Sequence, residues 1–105
     1  MRMMARFTIP TESGNELIKS GKLNDSFEKL MADLKPEAAY FFPDVNGLRS
    51  GLVFFDLGSS SDIVKVVESF ALGLGAQCRL QPVMTAEDIQ QGFGALQGVI
   101  ERFGS

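Results

Sequence analysis

The chain has 105 residues, 45% of them hydrophobic, enough for one compact domain and too few for two, so residues 1–105 are read as a single domain. Ten basic against thirteen acidic residues give a net charge of -3, which disfavours a nucleic-acid backbone or an anionic membrane as principal partner. One cysteine excludes an internal disulfide, no secretory leader opens the chain, and no apolar run approaches a bilayer span, so a cytoplasmic location is expected.

Met3, Ala5, Phe7 and Ile9 alternate with Met4, Arg6 and Thr8 until Pro10, which predicts a first strand with two unlike faces. From Glu12 to about Leu34, Leu23, Phe27, Leu30, Met31 and Leu34 share a helical stripe. Leu17 and Ile18 are out of phase with it, which predicts a break near Gly21. Pro36 ends this helix and biases Lys35 away from helical angles.

A second strand follows over about Glu37 to Pro43 and a third over Leu48 to Leu57, joined at Asn46-Gly47, a pair that tolerates the positive φ angles of a type I′ turn. Phe41-Phe42 and Phe54-Phe55 make both faces of this hairpin apolar, and one layer of helices covers only one. The economical cover for the other is a second copy, so a homodimer is expected.

Ser59-Ser60-Ser61-Asp62 caps a second helix with stripe Ile63, Val66, Val67, Phe70 and Leu74, ending at Gly73 and Gly75. A fourth strand covers Ala76 to Met84, with Cys78 as a small buried hydrophobe. Thr85-Ala86-Glu87-Asp88 resembles a capping box opening a last helix with Ile89, Phe93, Leu96, Ile100 and Phe103 on one side. Gly92, Gly94 and Gly98 each cost about 1 kcal/mol there, so that helix is expected to lean on a neighbour. The order is βαββαβ with an extra C-terminal helix: an α+β, ferredoxin-like fold with a four-stranded antiparallel sheet.

No histidine is present, which removes the usual neutral-pH proton shuttle and the commonest transition-metal ligand. No metal site and no cofactor are expected. A two-residue turn at Asn46-Gly47 sets Asp44 opposite Arg49, Phe42 opposite Gly51, and Glu37 opposite Asp56. That register places Ala39, Phe41, Leu48, Leu52 and Phe54 toward the helices, and Tyr40, Phe42, Arg49, Gly51, Val53 and Phe55 on the second face. Arg6 and Thr8 from the first strand and Arg79 and Gln81 from the fourth extend this second face.

Aromatic walls among polar groups are pocket composition, and an arginine fork beside a tyrosine hydroxyl suits a small organic anion. The candidate ligand-binding residues are Arg6, Tyr40, Arg49 and Arg79, with Phe55 as a wall; a polar dimer interface with Arg49 bound to Asp44 is the structural alternative. Facing carboxylates at Glu37 and Asp56, or the Tyr40 hydroxyl, offer a second alternative, a cofactor-free isomerase or oxygenase. A purely structural or regulatory interaction domain is the third. The third strand matches an RNA-binding pattern only at Gly51, Val53 and Phe55, so no nucleic-acid partner is expected.

At Lys35-Pro36-Glu37-Ala38-Ala39-Tyr40-Phe41, at Gly47, Arg49, Gly51 and Asp56, and at Pro82-Val83-Met84-Thr85-Ala86-Glu87-Asp88, the chain resembles an uncharacterised family of small bacterial proteins. In layout it resembles the dimeric α/β-barrel group, in which two ferredoxin-like sheets close around a cavity. The resemblance implies a dimeric α/β barrel and carries no activity with it.

Overall fold

A computed structural model describes residues 1–104. The element order is β1 (Arg2–Ile9), α1 (Thr11–Lys19), α2 (Leu23–Leu34), β2 (Ala38–Pro43), β3 (Arg49–Asp56), α3 (Asp62–Leu74), β4 (Gln77–Pro82), α4 (Ala86–Phe93) and α5 (Leu96–Phe103). The four strands form one antiparallel sheet in the order β2-β3-β1-β4. This is the ferredoxin-like arrangement, with β1 and β3 central. Among the described residues no helix is long and apolar enough to cross a membrane.

Gly21 separates α1 from α2 as the phase change requires. Its φ is +73°, and the Lys22 and Gly21 amides donate to Leu17 and Ile18 carbonyls at 3.0 and 3.1 Å. This is a Schellman closure with glycine in the left-handed position. Lys35 ends α2 at φ 49°, its amide donating to Met31 at 2.9 Å. At α4 the expected capping box is present: Asp88 N–H donates to Thr85 Oγ1 at 3.1 Å, and Thr85 N–H donates to Asp88 Oδ2 at 2.9 Å.

The core lies between the sheet and α1–α3. Met3, Ala5, Phe7 and Ile9 from β1 meet Val53 and Phe55 from β3, Leu30 from α2, and Val66, Phe70 and Leu74 from α3. Phe7 is its centre, with ring centroids 5.1 Å from Phe70 and 6.1 Å from both Phe27 and Phe41. Gly51 makes room for that ring: a Cβ there would sit 2.6 Å from Phe7 Cε1 and 2.9 Å from the Tyr40 carbonyl oxygen.

The hairpin corrects the expected register by one residue. Gly47 alone takes a positive φ, +77°, while Asn46 does not. Gly47 N–H donates to the Asp44 carbonyl at 2.9 Å, and Asp44 N–H to that of Leu48 at 2.9 Å. The Asp44 carboxylate also accepts from Asn46 and Leu48 amides at 2.8 and 3.0 Å. The loop is therefore three residues long, with glycine in the left-handed position before the strand resumes.

Phe41 consequently faces Gly51, Phe42 faces Ser50, and Tyr40 faces Leu52. A slip of one residue inverts a strand's faces. Arg49, Gly51, Val53 and Phe55 thus lie on the helix side, and Leu52 and Phe54 on the open side, the reverse of the expected assignment for β3.

The C-terminal segment also differs. The expected single helix is two, α4 and α5, broken at Gly94-Ala95, and neither contains a buried residue. They extend away from the body, so the chain measures 61 × 29 × 20 Å with a radius of gyration of 17.6 Å. A compact chain of this length has about 13 Å.

Replacing Gly51 by alanine is expected to destabilise the chain by about 2 kcal/mol, because neither the core ring nor the strand backbone has space to yield. Urea unfolding checks this, and a midpoint equal to that of the parent would contradict the close approach of Phe7.

Candidate functional site

Two separate surfaces receive the candidate residues. On the open face, Tyr40, Leu52, Arg6 and Arg79 form one row across the sheet, in strand order. Arg6 and Arg79 are direct cross-strand neighbours, an arrangement that repels unless an anion intervenes. Among the described residues neither guanidinium has a salt bridge or a side-chain hydrogen bond. Tyr40 stands 61% exposed, two strand spacings, or roughly 10 Å, from Arg6. Arg6 also lines a shallow depression of 330 Å³ with Thr8, Phe42 and Ser50.

Arg49 and Phe55 lie on the other side of the sheet. Phe55 is 2% exposed and belongs to the core, so it walls no cavity on the open face. Arg49 does not pair with Asp44, whose carboxylate is occupied by the turn amides. Its Nη2 donates instead to Asn15 Oδ1 at 3.2 Å, and its side chain lies against buried Gly14, where a Cβ would collide with it. Gly51, Val53 and Phe55, the partial match to an RNA-binding strand, likewise face the helices.

Arg49 opens onto a groove of 780 Å³ between α2 and the ends of β1, β2 and β3. Leu23, Phe27 and Met31 form one wall, and Phe7, Phe41 and Pro43 the other. Phe27 and Phe41 meet edge-on at 5.2 Å across its floor. The volume falls in the range of small-molecule sites, and the lining follows their usual pattern of apolar walls with a few polar groups. Among the described residues the guanidinium makes one side-chain hydrogen bond, has further donors, and within hydrogen-bond reach meets no carboxylate.

Strand alternation alone does not reveal this groove. Phe27 and Phe41 read as core residues, and only the tertiary arrangement leaves Phe41 55% exposed at the groove wall. The signal available in the sequence was Asp44, whose preference for starting a type I turn favours the three-residue loop and hence the inward direction of Arg49.

The carboxylate pair is also corrected. Glu37 and Asp56 do not face each other as a shared-proton pair. Glu37 accepts two hydrogen bonds from Arg2, 2.8 and 2.9 Å, and Asp56 accepts from the N-terminal ammonium at 3.0 Å. The Arg2 hydrogen bond and charge hold the Glu37 carboxyl below the usual carboxylate range. A base so held is weak near neutral pH.

The serines before α3 offer no vacant anion cradle. Ser59 N–H donates to Asp62 Oδ2 at 3.1 Å, and Ser61 N–H to Ser59 Oγ at 3.4 Å. Among the described residues no group of three or more His, Cys, Asp or Glu side chains is placed to hold a metal ion.

No family model matches the chain, and no curated protein does. Among solved structures, the chain is similar to 5-chloro-2-hydroxyhydroquinone dehydrochlorinase (TftG) from Burkholderia phenoliruptrix AC1100, in complex with 2,5-dihydroxybenzoquinone. The TM-score is 0.61 over 83% of this chain and 97% of that chain, at 11% identity. At that identity the likeness shows a shared ferredoxin-like fold.

Cys78 lies on the helix side of β4, half-buried rather than fully buried as expected, and this partial burial pushes its thiol pKa up to about 11. Iodoacetamide at pH 8 is expected to label it at least about tenfold more slowly in the folded chain than in urea. Equal rates would contradict its burial. Because the unfolded thiol ionises first, the raised value stabilises the fold below pH 9.0, and this contribution disappears as pH rises through about 11.

Proposed function

We propose that this protein is a homodimeric small-molecule-binding domain whose ligand is a small organic anion with an apolar, ring-sized body. The observation that carries this reading is Arg49, a guanidinium without a carboxylate partner among the described residues, opening onto an aromatic-walled groove of 780 Å³. A ring lying against the contacting pair Phe27 and Phe41 would exchange water for apolar contact. Its carboxylate would take the remaining donors of Arg49, a charge-assisted bond strengthened by the low dielectric of the groove.

That a protein of the same fold is solved with 2,5-dihydroxybenzoquinone supports a small-molecule role for the architecture. The neighbouring guanidiniums of Arg6 and Arg79, with Tyr40 in the same row, form a second anion-seeking surface on the open face. Two copies meeting there, sheet against sheet in a dimeric α/β barrel, would cover Leu52, Phe54 and Phe42 and enclose that row.

The two surfaces separate by mutation. With 4-hydroxybenzoate as the probe in titration calorimetry, Arg49→Ala is expected to weaken binding at least about tenfold, the loss of one charged hydrogen bond, while Arg6→Ala leaves it unchanged. A loss in Arg6→Ala or Tyr40→Phe with none in Arg49→Ala would move the ligand to the open face. No binding to the parent by this or related aromatic carboxylates would contradict the reading.

A further inference from the structure

The C-terminal arm is the feature that the fold and the candidate groove leave unexplained. Its apolar positions, Ile89, Phe93, Leu96, Ile100 and Phe103, recur at alternating spacings of four and three across the Gly94-Ala95 break, the seam spacing of helices that pack on another element. Both break residues keep right-handed helical angles, so the two helices continue one seam about 21 Å long. All five seam residues are exposed, from 40% at Ile89 to 75% at Phe103.

A solvated helix of this kind does not sustain itself. α4 and α5 have eight residues each, below the roughly 12–15 at which an isolated helix holds in water, and Gly92, Gly94 and Gly98 weaken them further. The seam therefore requires a partner surface.

We propose that α4 and α5 form an exchanged arm whose apolar seam packs on a second copy of this chain. Exposed area identifies the occupant. A folded monomer of 11.4 kDa exposes about 5,800 Å², whereas this chain exposes 7376 Å². The excess, about 1,600 Å² on each chain, gives two copies enough surface for an obligate homodimer.

The root of the arm supports the same occupant. Asp88, at the start of α4, borders one cavity with Arg2, Glu37, Asp56 and Met84, at the foot of the open sheet face. A copy docked on that face meets the arm where it leaves the body. A symmetric pair buries both seams at once, each arm closing over the other chain.

This inference rests on the homodimer reading and is tested by variants that tell the two apart. Sedimentation equilibrium on the full chain is expected to give a dimer at micromolar concentration. Phe93→Asp combined with Ile100→Asp is expected to weaken association about 100-fold, while Gln90→Lys with Gln91→Lys on the polar side leaves it unchanged. No arm residue is buried in the single chain, so the seam variant is expected to keep the cooperative thermal transition of the body.

A parent that stays monomeric at several hundred micromolar overturns both the arm exchange and the homodimer. A dimer that the seam variant leaves intact, but that Phe54→Glu on the open face dissociates, overturns the exchange alone. Loss of the cooperative transition in the seam variant, with the polar-side control unaffected, would show that the arm belongs to its own body and overturns it too.

Discussion

A single residue in the β2–β3 turn determines what every side chain of β3 does. Asp44 fastens two amides of the turn with its carboxylate, Gly47 alone adopts the left-handed backbone, and the loop becomes three residues long. With two residues in the loop, Phe55 would leave the core and Leu52 would enter it. Gly51 would also no longer lie beside Phe7, and the central ring of the core would meet a side chain. The turn and the Phe7–Gly51 contact therefore specify the same register independently, which is the consistency expected of a well-determined fold.

From this register the two surfaces of the molecule follow. The helix side is filled by Phe7, Val53, Phe55 and Phe70, and at its upper edge the packing stops short, leaving a groove with Arg49 beside aromatic walls. The open side carries Leu52, Phe54 and Phe42 beside a polar strip of Arg6, Thr8, Arg79 and Gln81. The arm extends from the foot of the open face.

Much of the fold was legible in the sequence because local signals agreed. The phase change of the apolar stripe at Gly21, the Thr85-Asp88 box and the alternation of β1 each identified a feature with a physical mechanism, and the βαββαβ order followed. The faces of β3 were not legible by alternation. Leu52, Val53, Phe54 and Phe55 are all apolar, so the pattern has a period but no sign, and Asn46-Gly47 is compatible with either loop length. Of the candidate site, Arg6, Tyr40 and Arg79 fell on the open face as read. Arg49 and Phe55 crossed to the other side with the slip. The groove itself depends on where α2 sits against β2, a tertiary distance that no local pattern carries.

The register of the hairpin is the claim on which the placement of Arg49, the groove and the open face all depend, and cross-strand nuclear Overhauser effects measure it directly. Backbone contacts linking Phe41 with Gly51 and Ala39 with Val53 are the expected result. Contacts linking Phe42 with Gly51 and Tyr40 with Val53 would contradict it, and would return Arg49 and Phe55 to the open face.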